Sequence, residues 1–573
     1  MHASARAVLL LAFFTAACGD GAGRDATSSQ LPAFGAPGSD VPSSSAPGSA
    51  PNDPAAPVGT PPAASNAGGS ESPGPELPLG TAGADGAGPG AAPQATSLPR
   101  STPEAEGLSS AGVLAVVAAL DDLAGEIHSM MLVRHGKVVA EAWWAPYAAE
   151  DIHVTYSVTK SFNSTAVGFA VAEGLLGIDD LVLPHFPEDA PAAPAPQMQN
   201  MRVRDLLTMS TGHQVDPLNA MRARTDGQWV RGFLESAVPL QPGTFFFYNS
   251  SAAYMLGALV EKVTGMSVEE YLEPRLFQPL GISGQLWGQS PEGVNLTEGG
   301  LSVKTEDLAK FGLSYLQGGM WNGEQVLPAE WATAATASQI STGNGSGNYG
   351  HGYGYQFWRS QVGYRADGSL GQFSFVLPEQ DIVLAVTSGT TDLDGVMNIV
   401  WQNLLPAVSA GALPEDPAAL AALGARMTSL ALPVPDGAMS SSRVADVSLR
   451  RYAAAQNPQG IQAIQIDFSG ATPLLSIEDA DGKHSIPVGL GQWVRGRTGF
   501  KKRINELFDT PEQGIAAIGA WTAEDTFEAH LCFNETPYTM TASFKFEAER
   551  VLADMSYNVR WGNAKEAQII GTR

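Results

Sequence analysis

The chain has 573 residues, with 58 Asp and Glu against 32 Lys and Arg, for a formal net charge of −26 at pH 7. That balance excludes nucleic-acid binding, because no basic stripe is left to neutralise phosphates, and it indicates an acidic, soluble exterior. Two cysteines, Cys18 and Cys532, give no internal disulfide framework, and neither H-E-x-x-H nor a paired C-x-x-C occurs, so no metal site and no cofactor are expected.

In chain order, Arg6 precedes an apolar stretch from Ala7 to Phe14 and then Thr15-Ala16-Ala17-Cys18. The stretch is too short to span a bilayer and ends in small residues, which is the pattern of a secretory signal. A cysteine at this place reads as a bacterial lipoprotein cleavage site over 1–18, with Cys18 lipidated and tethering the protein to a membrane. The expected location is the cell envelope, periplasmic or membrane-anchored. Residues 19–97 are dominated by Gly, Ala, Pro and Ser without apolar periodicity, the composition of a disordered linker.

Residues 98–408 follow, a region large enough to split into two lobes. A hairpin near 128–144 and strands near 372–388 are expected to pair in one antiparallel sheet flanked by helices, with the mostly helical segment 158–340 as the second lobe. The cleft between lobes is the natural place for a site. Within Tyr156-Ser157-Val158-Thr159-Lys160-Ser161-Phe162, Ser157 and Lys160 are three residues apart at the start of a helix whose apolar face is Phe162, Thr165, Ala166, Phe169 and Ala170. At that spacing an amine reaches a hydroxyl proton. A serine needs such a base, and a lysine serves only if burial disfavours its ammonium form.

Two further segments follow. Gly243-Thr244-Phe245-Phe246-Phe247-Tyr248-Asn249-Ser250-Ser251 ends an aromatic run just before a helix, and Ala366-Asp367-Gly368-Ser369-Leu370-Gly371-Gln372-Phe373 leads into an edge strand and hairpin through Val376 to Val386. Taken alone, the first is compatible with core packing and the second with a glycine-rich turn. In this order the three segments resemble the S-x-x-K, Y-x-N and K-T-G boxes of the serine beta-lactamase and penicillin-binding protein superfamily. More narrowly, the chain resembles the class C beta-lactamase-related branch that includes family VIII esterases and 6-aminohexanoate-dimer hydrolases. The likeness extends to Leu132–Val139, Val203–His213, Gly299-Gly300-Leu301-Ser302, Asp307–Phe311 and Gly352–Trp358.

The resemblance implies a beta-lactamase/transpeptidase-like α/β (α+β) fold and a two-step reaction. Ser157 would be acylated, Lys160 would be its base or base partner, and Tyr248 would relay protons with Lys160 to the leaving group. The backbone amides of Ser157 and Ser369 would form the oxyanion hole. Asn249, Ser250, Asp367 and Gly368 would face substrate. Two departures bear on specificity. The lysine that helps bind a substrate carboxylate in the family is Ala366 here, with Asp367 beside it to repel an anion and Arg365 as a possible counter-charge. The asparagine of the second box is displaced by one, to Asn249. Both disfavour carboxylate-bearing beta-lactams and D-Ala-D-Ala peptides and leave neutral or cationic, small or peptide-like esters and amides. His153 and His351 flank these segments and are read as core or surface residues. No G-x-S-x-G is present, which removes an α/β-hydrolase.

A polar, alanine-rich connector at 409–440 precedes a change of pattern. Ile464, Ile466 and Phe468 alternate, as do Met540 to Phe546 and Val551 to Val559, so 441–573 is expected to be a small antiparallel β sandwich or barrel, with Cys532 as a buried structural thiol. The sequence thus describes an exported serine hydrolase cleaving an ester or amide through Ser157, alternatively a penicillin-binding-like, beta-lactamase or D-Ala-D-Ala peptidase activity, or a non-catalytic envelope-binding module built on the same fold. It leaves the oligomeric state open.

Overall fold

The computed structural model describes residues 97–573, apart from 344, 501–509 and 560–564. The export segment with Cys18, and the linker as far as residue 96, lie outside the described residues. Among those described, no helix is long and apolar enough to cross a membrane.

The central sheet has six antiparallel strands in the order Lys137–Trp143, Glu126–Arg134, Ile382–Gly389, Gln372–Leu377, Tyr364–Gly368, Trp358–Arg359. Early and late strands pair as expected, from Glu126 opposite Gly389 to Arg134 opposite Ile382. Side chains alternate across the pleat. Leu132, Phe373, Phe375, Leu384 and Val386 therefore pack on the helix Ser110–Asp121 through Val116, Val117 and Leu120. Met131, Val133, Val376, Val383 and Ala385 face the helical lobe. The strand Gln372–Leu377 is not at the edge: it is hydrogen-bonded on both sides and wholly buried, because 364–368 form a strand of their own.

In the helical lobe the helix Thr159–Ala172 is enclosed on every side, not along one apolar stripe; each residue from Thr159 to Ala170 is buried. Phe162 stacks on Phe311 with centroids 3.8 Å apart. Polar side chains on this helix are tied to backbone carbonyls of neighbouring segments. Ser161 donates to the Gln356 carbonyl, Asn163 to that of Ala253 and Ser164 to that of Tyr355. Gly168 lets the helix lie against Trp331, whose ring would be 2.4 Å from a Cβ there. A small sheet of His153–Val154, Leu301–Val303 and Leu286–Trp287 brings the segment around residue 298 beside the start of this helix.

The connector is not loose. It contains the helix Pro417–Ser429, whose Leu423 is buried against the same cluster as the helix Ser110–Asp121. Beyond it, eleven strands form a single sheet that curls into a nearly closed barrel. Its interior holds Ile464, Ile466, Phe527, Leu531, Met540, Phe544, Val551 and Met555, in keeping with the alternation in the sequence. Cys532 is a free, fully buried thiol, but it packs into the cluster below the central sheet and not into the barrel.

Candidate active site

Ser157 occupies a 3-10 turn, Tyr156–Val158, immediately ahead of the helix Thr159–Ala172. Its predecessor Tyr156 has a left-handed backbone at φ 45°, a costly conformation for a residue with a Cβ. One helical turn on, Lys160 Nζ lies 2.8 Å from Ser157 Oγ and donates to the Glu298 carbonyl at 2.5 Å. Lys160 is 1% exposed, and burial lowers its pKa to about 8 against the opposing pull of Glu298, Asp216 and Asp367, with Arg222 assisting. The amine is therefore poised to exchange a proton near neutral pH.

Tyr248 is half-buried, with its ring centroid 5.2 Å from Lys160 Nζ. The ring lies almost parallel to Trp358 at 5.7 Å and edge-on to Tyr353 at 6.3 Å, so packing fixes its plane. The two residues after it are turned to structural use. Asn249 is fully buried and caps the helix Ser250–Thr264, accepting from the Ala252 amide and donating to Thr211 Oγ1 at 3.1 Å. The amides of Ser250 and Ser251 donate to Asp216 at 2.7 and 3.2 Å, which satisfies the orphan groups of the same helix start. The displaced asparagine is thus held as a cap by its own helix.

The opposite wall is the end of the strand Tyr364–Gly368. A Cβ on Gly368 would meet the Thr155 carbonyl at 2.3 Å and the Ser157 amide nitrogen at 3.3 Å, so this position brings the strand directly against the turn that carries Ser157. Ser369 follows, half-buried, and Leu370 and Gly371 then adopt left-handed backbone at φ 61° and 85°. Gln372 pins this loop: its amide donates to the carbonyls of Leu370 at 3.0 Å and Ser388 at 2.7 Å and accepts from the Ser388 amide at 3.2 Å.

Asp367 bears on charge. Arg365, two residues away on the same strand face, is fully buried and donates through Nε to the Asp367 carboxylate at 2.9 Å. Burial pushes the Asp367 pKa up, while Arg365 and the Tyr349 hydroxyl oppose it. The repulsion expected from Asp367 is therefore largely matched by its own counter-ion. His153 is buried beside His128, with ring nitrogens 3.0 Å apart, and burial lowers its pKa to about 3. His351 is half-buried among the glycines of the 338–352 loop.

Three charged residues near Lys160 were absent from the sequence reading. Glu298 is 4% exposed, holds Lys160 through its carbonyl and pairs with Arg222 at 2.8 Å through its carboxylate. Asp216 adds a carboxylate at the helix start. Glu298 directly precedes the Gly299-Gly300 pair, the one signal that could have drawn attention to it. Among the described residues, no group of three or more His, Cys, Asp or Glu is placed to hold a metal.

A serine within hydrogen-bond distance of a buried amine, facing a glycine strand end, places a hydroxyl beside a group able to accept its proton. Residues 115–406 match the Beta-lactamase family, and the chain belongs to that family. It is 26% identical over 288 residues to the 6-aminohexanoate-dimer hydrolase of Paenarthrobacter ureafaciens, covering 46% of this chain and 73% of that protein. It is 27% identical over 170 residues to the "Putative D-alanyl-D-alanine carboxypeptidase" of Escherichia coli (strain K12), covering 26% of this chain and only 39% of that protein. Among solved structures, the octameric penicillin-binding protein homologue from Pyrococcus abyssi matches over 81% of this chain and 99% of its own, with a TM-score of 0.41 and 20% identity.

Proposed function

We propose that the protein is a serine hydrolase that cleaves a neutral or cationic ester or amide through an acyl-enzyme on Ser157. The observation that carries this reading is the 2.8 Å contact between Ser157 Oγ and a lysine whose pKa is lowered to about 8. With that pKa roughly a tenth of the amine is neutral at pH 7, against less than about one part in a thousand for a solvated lysine. Neutral Lys160 takes the Oγ proton as Oγ attacks the carbonyl carbon. The developing oxyanion is received by the amides of Ser157 and Ser369. Tyr248, next to Lys160, passes the proton to the departing alcohol or amine, and water then enters by the same relay and frees the acid.

The preference against anionic substrates rests on Ala366, which offers no cation, and on Arg365 being already occupied by Asp367. The relative acting on 6-aminohexanoate dimer and the lovastatin esterase of Penicillium rubens, 29% identical over 160 residues, are in keeping with amide or ester cleavage. The test is hydrolysis of a short-chain p-nitrophenyl ester by the protein and by Ser157→Ala, with nitrocefin as a carboxylate-bearing comparison. Ester turnover should fall by about 10⁴-fold or more in Ser157→Ala, and nitrocefin should be the poorer substrate. Ester activity that survives in Ser157→Ala rules the reading out. Faster turnover of nitrocefin would favour a beta-lactamase or D-Ala-D-Ala peptidase. Binding of an envelope component without turnover would favour the non-catalytic module. Export and anchoring through Cys18 belong to the same proposal, and Cys18→Ser should move the protein from the membrane to the soluble fraction of cells.

A further inference from the structure

The turn between the barrel strands Thr526–Cys532 and Thr539–Phe546 does not end in solvent. It is internally ordered: the Thr536 amide and hydroxyl donate to the Phe533 carbonyl at 2.8 and 2.9 Å, and the Thr536 hydroxyl accepts from the Tyr538 amide at 3.2 Å. It is then gripped by the hydrolase region along its length. The Val154 amide donates to the Glu535 carbonyl at 3.0 Å, the Tyr147 hydroxyl to the Thr536 carbonyl at 3.0 Å, and the Tyr156 hydroxyl to the Tyr538 hydroxyl at 3.1 Å. On the far side Thr539 and Asn558 each donate to Glu126 at 2.8 Å. A Cβ at Gly389 would come within 2.3 Å of the Pro537 carbonyl, so that glycine is what lets the turn seat.

Val154 and Tyr156 are three residues and one residue before Ser157. Tyr156 also has a left-handed backbone, at φ 45°, immediately ahead of Ser157. A residue with a side chain keeps such a conformation only where its surroundings fix it, and the hydroxyl of Tyr156 is fixed from the barrel. We propose that the Phe533–Thr539 turn is a working part of the catalytic site and that Tyr538 is a positioning residue, holding Tyr156 and, through it, the backbone of Ser157. The barrel is on this account a component of the hydrolase and not an appended binding module. Its contribution falls on the transition state, because the Ser157 amide meets the oxyanion only as charge develops.

The proposal rests on Ser157 as the nucleophile. It is tested in the full-length protein with Tyr538→Phe, which keeps the ring and its packing, together with Tyr156→Phe and the double variant. The expected result is a 5- to 50-fold loss of kcat on a p-nitrophenyl ester in Tyr538→Phe, with KM within about twofold and an unchanged thermal midpoint. The double variant should be no worse than the more impaired single variant, since both remove one contact. Wild-type kcat in Tyr538→Phe overturns the proposal, as does a double variant whose loss is the product of the two singles. A loss of kcat matched by a drop in thermal midpoint also overturns it, because that is a purely structural effect. If Ser157→Ala is inactive while Tyr538→Phe equals wild type, only this inference fails; if Ser157→Ala retains activity, the nucleophile assignment itself fails.

Discussion

Lys160→Met loses about 10²- to 10⁴-fold in kcat/KM, the usual worth of a positioned base, and it becomes more heat-stable at pH 7. The first half follows from the contact with Ser157 Oγ. In the wild type, kcat/KM should climb about tenfold per pH unit from the acid side and level off near pH 8, where Lys160 gives up its proton. Lys160→Met should lack that limb. Because Tyr248 lies beside the amine, the inflection belongs to the pair. The second half follows from linkage. The folded-state pKa of Lys160 is lowered from 10.5 to about 8, so between those values the unfolded chain binds more protons and stability rises with pH. Below pH 8 the penalty is present in full, on the order of 3 kcal/mol. Methionine cannot be charged and does not carry it, at the cost of leaving the Glu298 carbonyl unpaired. A stability difference between Lys160→Met and wild type that stays constant from pH 8 to 10.5 would show that this lysine is not held in the state described.

Gly368→Ala separates the strand end from the turn that carries Ser157. The added methyl would lie 2.3 Å from the Thr155 carbonyl and 3.3 Å from the Ser157 nitrogen, both backbone atoms that cannot swing aside. One side of the proposed oxyanion site must therefore move, and kcat should fall by about 10²- to 10³-fold, the size seen when one oxyanion donor is lost. The fold should persist, since Gly368 sits at a strand terminus with ordinary backbone. Circular dichroism and steady-state kinetics on the purified variant check both parts. An active Gly368→Ala would mean that the amides of Ser157 and Ser369 do not act together.

Much of this site is legible in the sequence for a simple reason. Ser157 and Lys160 share one helical turn, so their spacing alone fixes their proximity, and Tyr248 stands at the start of a recognisable helix. The pairing of an early hairpin near 128–144 with late strands near 372–388 was likewise expected, and Glu126–Arg134 pairs with Ile382–Gly389. What could not be read is what distant segments contribute. Glu298 reaches Lys160 across 138 positions, and Tyr538 reaches Tyr156 across 382. The Arg365 and Asp367 side chains share a face by strand periodicity, but their joint burial depends on Tyr349 and Ser360 closing over them. The strand Gln372–Leu377 looked like an edge because its neighbour, 364–368, carries glycine and charge and lacks a strand's usual composition.

The enclosure of the helix Thr159–Ala172 has a consequence for how such a protein can change. Its hydroxyl and amide side chains are tied to carbonyls on the 253 and 355–356 segments, so the separation of Ser157 and Lys160 is set by the interior and is insulated from the rim. Exposed side chains such as Val215 and Phe245, on the loops leading to Asp216 and Tyr248, carry no such ties. Selectivity can therefore be rewritten at the mouth while the chemical engine is inherited intact, and a selection for new substrates should accumulate its changes in those loops before touching the buried helix.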